Sequence, residues 1–187
     1  MFDYREYFDR YCQDHKLELI LSFDMPGGYE TAEGTFDLES RTVFINAEYL
    51  KEAPDHVKAY CLFHELRHAS QYLCPEQFGA AVIRSSRYVI MFDGTCYKLV
   101  DGKYHECRLE GGAELFTELY LGQPYEVDAN EFAFEQAKKF YGDQEELQSL
   151  YESRMPERPL AEGIYDSIYA FIDEEIKASD RRTDRDV

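Results

Sequence analysis

The stretch CLFHELRHASQYL, residues 61–73, constrains the fold more than any other part of the chain. Leu62, Leu66, Ala69 and Leu73 recur at helical spacing without β alternation, so the segment must be an amphipathic helix with that stripe on a core. The other side carries His64, His68 and Gln71. His64 and His68 project from one face a single turn apart, so both imidazoles can reach one metal ion. Glu65 lies about 100° around, near enough to hold a water beside that ion. Residues of this composition in random order would spell H-E-x-x-H only about 0.02 times. The competing reading is a solvated polar face, and two histidines alone do not complete a metal site.

The rest of the chain supplies an α+β frame. Residues 2–15 read as an opening helix, LELILSF (17–23) as a strand, and TFDLE and TVFINA as an antiparallel pair divided by Ser40-Arg41. The histidine helix spans about Pro54 to Leu73. A β-rich region follows, roughly 80–110, in which Asp101-Gly102 marks a two-residue hairpin loop. That loop sets Val100 opposite Lys103, Lys98 opposite His105, and Cys96 opposite Cys107. Two small thiols packed at the base of the hairpin are a simpler reading of that last pair than a redox switch. Helices are expected over 113–121, from Pro124 to about Tyr141, and in two further segments between 144 and 178; the charged end, DRRTDRDV, should fray. One domain over residues 1–187 accommodates all of this, with a small antiparallel sheet packed on helices.

The helix YEVDANEFAFEQAKKF offers a third ligand. At about 100° per residue, Asp128, Glu131, Glu135, Lys138 and Lys139 share a solvated face, while Glu126 and Asn130 fall within the arc of Ala129, Ala133, Ala137 and Phe140. A buried carboxylate needs a cation or strong donors, and an ion held by His64 and His68 would be one. Asn130, one turn later, could bond the ligand carboxylate or a ligating histidine's second nitrogen. Alternatively, Glu126 is partly exposed and simply favours the helix N-terminus. Asp128 is the fallback ligand, with Glu114 and Glu118 behind it.

HELRHASQ (64–71) together with EVDANEFA (126–133) resembles the H-E-x-x-H and E-x-x-A-N-x-F-A motif pair of the ImmA/IrrE family of small gluzincin-like metallopeptidases. TFDLESRTVFINAEYL resembles that family's substrate-side hairpin, and the likeness covers roughly residues 17–140. It implies a zincin-like fold, a Zn²⁺ ion on His64, His68 and Glu126, and Glu65 as general base. It also implies selective cleavage of a protein partner such as a repressor, in a bacterial or phage context. TVFINA would be the edge on which a peptide adds by backbone hydrogen bonds. Glu126 follows His68 by 58 positions, farther apart than the family leads one to expect. The excess is the β-region at 80–110, which could cap the cleft. His105 on that insertion is one candidate for the oxyanion donor such chemistry needs; Tyr97, Tyr104 and Arg67 are others.

Thirty-eight acidic residues against twenty basic ones give a net charge of −18, a field that repels phosphate backbones and anionic lipid. No apolar run approaches the roughly 18 residues needed to cross a bilayer, and five cysteines without a C-x-x-C pair fit reduced thiols. The expectation is a cytoplasmic protein with neither nucleic-acid nor membrane partners. Two other readings fit the same residues: a metal-binding regulator that does not cut its partner, and a metal-free acidic interaction module using its 16 tyrosines and 13 phenylalanines. A deformylase-like site fits poorly, because its cysteine ligand comes from an upstream strand, whereas Cys61 lies on the histidine helix itself.

Overall fold

The chain opens with a helix because Asp3 caps it: its carboxylate accepts from the backbone N–H groups of Arg5 and Glu6, and Lys16 in the left-handed region ends it. A computed structural model describes residues 2–158 and 160–183. The helices are α1 (Tyr4–His15), α2 (Asp55–Leu73), α3 (Ala80–Ser85), α4 (Ala113–Leu121), α5 (Pro124–Tyr141), α6 (Glu145–Ser153) and α7 (Ile164–Thr183). The strands are β1 (Ile20–Ser22), β2 (Gly34–Asp37), β3 (Thr42–Ile45), β4 (Tyr88–Ile90), β5 (Thr95–Val100) and β6 (Lys103–Arg108). The chain is therefore α+β. No helix among the described residues is long and apolar enough to cross a membrane.

Two compact units divide the chain. The first comprises residues 1–79 and 128–154, the second 80–127 and 155–187. In the first unit the sheet order is β1-β3-β2, with β1 parallel and β2 antiparallel to β3. The sheet is thus mixed rather than purely antiparallel, and TVFINA is its middle strand. Both of its backbone edges are already paired, so it cannot receive a peptide; the edges are β1 and β2. Val43 and Ile45 are wholly buried beneath α2, whose Leu62, Leu66 and Ala69 are wholly buried too. The stripe read from the sequence is the core face of that helix.

The second unit packs α7 on a sheet ordered β4-β5-β6, through Tyr88, Ile90, Cys96, Leu119, Tyr169, Ile172 and Ile176. Asp101 and Gly102 both have positive φ, as a type I′ loop requires, and the register is the expected one, Cys96 facing Cys107 and Lys98 facing His105. All five cysteines are free thiols. Residues 80–85, expected to be β-rich, form α3; six residues with Ala80, Ala81 and Arg84 favour a short helix once no strand pairs with them. Of the end expected to fray, residues 180–183 continue α7, while 184–187 lie outside the described residues. Gln123 is fully buried and behaves as a substitute strand residue: its amide takes the backbone N–H of Ile90 at 2.8 Å and donates to the Ile90 carbonyl at 3.0 Å. That bracket satisfies one edge of β4 and fixes the entry to α5.

Candidate metal centre

Both faces of α2 are occupied. Opposite the apolar stripe, Glu65 and His68 are each 8% exposed and Gln71 1%, which excludes a solvated polar face. The imidazoles stand nearly perpendicular, at 88°, and their Nε2 atoms are 2.9 Å apart, aimed at one point.

Glu126 reaches the same point from α5. It is 4% exposed, and its carboxylate with the two imidazoles offers three ligand atoms that all lie within 4.8 Å of one another. Although the unit boundary falls at residue 127, the body of α5 belongs to the first unit, and the unbroken helix carries Glu126 with it. Two imidazole nitrogens about 2.0–2.1 Å from a tetrahedral ion stand about 3.3 Å apart, so a few tenths of an ångström of opening would seat Zn²⁺. Two neutral nitrogen ligands and one carboxylate are a donor set such an ion accepts, with one position left open.

The orientation of His68 follows from a chain of hydrogen bonds. Arg67 donates from Nε and Nη2 to the two Asp128 oxygens, at 2.8 and 2.9 Å. Gln71 Nε2 donates to Asp128 Oδ2 at 2.8 Å. Because a carboxylate only accepts, the Gln71 amide must face it nitrogen first and turn Oε1 toward His68, where Nδ1 lies at 2.9 Å. Nδ1 therefore carries the proton, and the Nε2 lone pair is left for a metal. Asp128 belongs to this chain and not to a plain solvated face, and it stands outside the ligand group. Its signals in the sequence were weak: Gln71 follows His68 at i+3, the spacing that makes helix neighbours, and Arg67 is a cation in need of a partner.

Several expected roles shift. Asn130 is buried as its place in the apolar arc implied, but it bonds neither the ligand carboxylate nor a ligating histidine; it accepts from Tyr60 Oη at 3.0 Å and donates to the Arg154 carbonyl at 3.1 Å. Arg67, another oxyanion candidate, has its fork on Asp128, and the Phe78 and Phe132 rings lie 4.5 and 4.6 Å from its guanidinium carbon. His105, Tyr97 and Tyr104, the other oxyanion candidates, are on the second unit's hairpin. Glu114 and Glu118 lie on α4, where Glu118 accepts from the backbone of Arg158. Phe140, expected with the apolar arc, is 42% exposed.

Gly34 was not anticipated. A Cβ on this first residue of β2 would fall 2.9 Å from Glu65 Cγ, 3.0 Å from the Phe44 carbonyl oxygen and 3.2 Å from Ile45 Cδ1. Only glycine lets the edge strand lie this close to the glutamate.

No family model, curated protein or solved structure matches this chain.

The residues themselves therefore carry the functional reading.

Proposed function

We propose that this chain is a zinc-dependent peptidase of the ImmA/IrrE type that hydrolyses a peptide bond in a specific protein partner, such as a repressor, in a bacterial or phage cytoplasm. The observation that carries the reading is the convergence of His64, His68 and Glu126, with Glu65, next to His64 in the chain, also buried. A base has no purpose beside a purely structural ion, which favours catalysis over a silent metal-binding module.

Zinc, when bound, would supply Lewis acidity and bring the pKa of a water to about 7. His64, His68 and Glu126 would hold the ion, and Gln71 keeps His68 in the ligating tautomer. Glu65 takes the proton from the attacking water as its oxygen bonds to the peptide carbon, and returns it to the amine nitrogen as the carbon–nitrogen bond breaks. The substrate backbone adds to β2, an edge strand among the described residues, and the absent side chain of Gly34 leaves Glu65 room beside it.

Elemental analysis of wild type and Glu126→Ala, purified side by side, tests the site: about one zinc per chain and clear loss in the variant are expected. Glu65→Gln should keep the zinc and lose cleavage of candidate protein substrates. Equal cleavage by both proteins would remove the catalytic reading, and absence of metal after zinc is supplied would remove the site.

A further inference from the structure

The proposed ligands and base depend on three segments, α2, α5 and β2, and a polar cluster away from the ligands joins all three. Arg154 follows α6, and its Nη2 donates to both carboxylate oxygens of Glu33 at 2.7 Å. Glu33 Oε2 also accepts from Cys61 Sγ at 3.3 Å. The Arg154 carbonyl accepts from Asn130 Nδ2, and Asn130 Oδ1 accepts from Tyr60 Oη.

Each member sits one step from the site. Tyr60 and Cys61 lie about one turn before His64 and Glu65 on α2, Asn130 one turn after Glu126 on α5, and Glu33 directly before Gly34, which backs onto Glu65. The side chains of Arg154 and Glu33 are only 38% and 28% exposed, and Tyr60 and Asn130 are each 3% exposed, so water can replace few of these bonds. The guanidinium closes the cluster on one side and the carbonyl of the same residue closes it on the other.

We propose that Arg154 is a positioning residue for the metal centre: bonded to Glu33 through its side chain and to Asn130 through its carbonyl, it sets the spacing of β2, α2 and α5 at which His64, His68 and Glu126 converge. The inference rests on the metal-site reading. An ordinary ion pair would brace the fold without affecting the ligands, and the two roles differ in what they do to metal affinity.

The test uses Zn²⁺ as probe, with its dissociation constant from competition against a chromophoric chelator and the melting temperature of the metal-free protein. Wild type, Arg154→Gln, Arg154→Lys, Glu33→Gln and Leu150→Ala are compared. Arg154→Gln and Glu33→Gln should weaken zinc about tenfold or more, the usual effect of removing support around metal ligands. Arg154→Lys should recover part of the loss, because an ammonium retains one contact with Glu33. Leu150→Ala, which trims the core beside α6, should lower the melting temperature while zinc affinity stays within about threefold of wild type, since it lies off the cluster. A lower melting temperature with unchanged zinc affinity in Arg154→Gln would overturn the inference and leave a simple brace. If Arg154→Gln does not fold, Arg154→Lys and Glu33→Gln decide by the same criterion. If the wild type itself takes up no zinc, the metal-site reading fails, and the inference with it.

Discussion

Gln71→Ala isolates the step by which this fold selects one histidine tautomer. The substitution removes two hydrogen bonds from a side chain that is 1% exposed, one to His68 Nδ1 at 2.9 Å and one to Asp128 Oδ2 at 2.8 Å. Asp128 keeps the Arg67 fork, so its loss is partial. His68 loses the acceptor that holds its proton on Nδ1, and removing one partner of a buried hydrogen bond costs about 1–3 kcal/mol. Freed of that constraint, the ring can protonate on Nε2 or rotate, and a bound metal must reverse either change. Removing such a partner typically lowers metal affinity about 10–100-fold, equivalent to about 1.4–2.8 kcal/mol at 1.4 kcal/mol per factor of ten. The assay is zinc titration against a competing chelator, with melting of the metal-free protein alongside. Because Gln71 and Asp128 act in one chain, Asp128→Asn should be less than additive with Gln71→Ala. Affinity within about twofold of wild type would refute the argument that the Asp128–Gln71–His68 chain prepares the ligand.

Three more outcomes follow from the same geometry. Gly34→Ala should cost about 1–3 kcal/mol by overpacking against Glu65 and β3, and abolish peptide cleavage while the zinc content stays at the wild-type level; melting, elemental analysis and a cleavage assay separate these effects. Cys61 and Cys96 should resist alkylation until the protein unfolds, because burial raises both thiols, Cys61 well above its ordinary value and Cys96 to about 12; site-resolved mass spectrometry after brief labelling reads this, and prompt labelling of either would contradict it. Burial also pushes the Tyr11 phenol up from 10.0 to about 12, against the lowering effect of its hydrogen bond with Ser70. The unfolded chain thus loses that proton first, so the stability contributed by neutral Tyr11 is complete below pH 10 and disappears as the pH rises toward about 12. Tyrosinate absorbance should lag and then rise together with unfolding; titration of all tyrosines near 10 in a folded protein would contradict it.

What could be read in advance depended on how local the cause was. The stripe of Leu62, Leu66 and Ala69 dictated α2 and its core face, because helical spacing leaves no other way to bury all three. Asp101-Gly102 dictated the hairpin register, because positive φ at both positions selects one loop and the loop counts off the pairs. Glu126 could be picked out by the same angular reasoning, since it shares an arc with three alanines that proved wholly buried. Strand order was not legible: alternation says which side chains face inward, but not which strand stands between the other two, and TVFINA took the centre because β1 pairs with it in parallel across a long connection. Asn130 shows the same limit. Its burial was a property of its own helix, whereas its partners, Tyr60 and the Arg154 carbonyl, come from segments 70 and 24 positions away.

The sequence by itself determined most of the elements, the core face of the histidine helix and the spacing that puts His64 and His68 one turn apart on one face, because each depends on dihedral preference and periodicity over a few residues. Only the tertiary structure decided that Glu126 meets the two imidazoles, that Asp128 and Gln71 hold the His68 proton in place, and that Gly34 lies against Glu65. Those are distances between segments far apart in the chain, fixed when burial and hydrogen bonding are satisfied together.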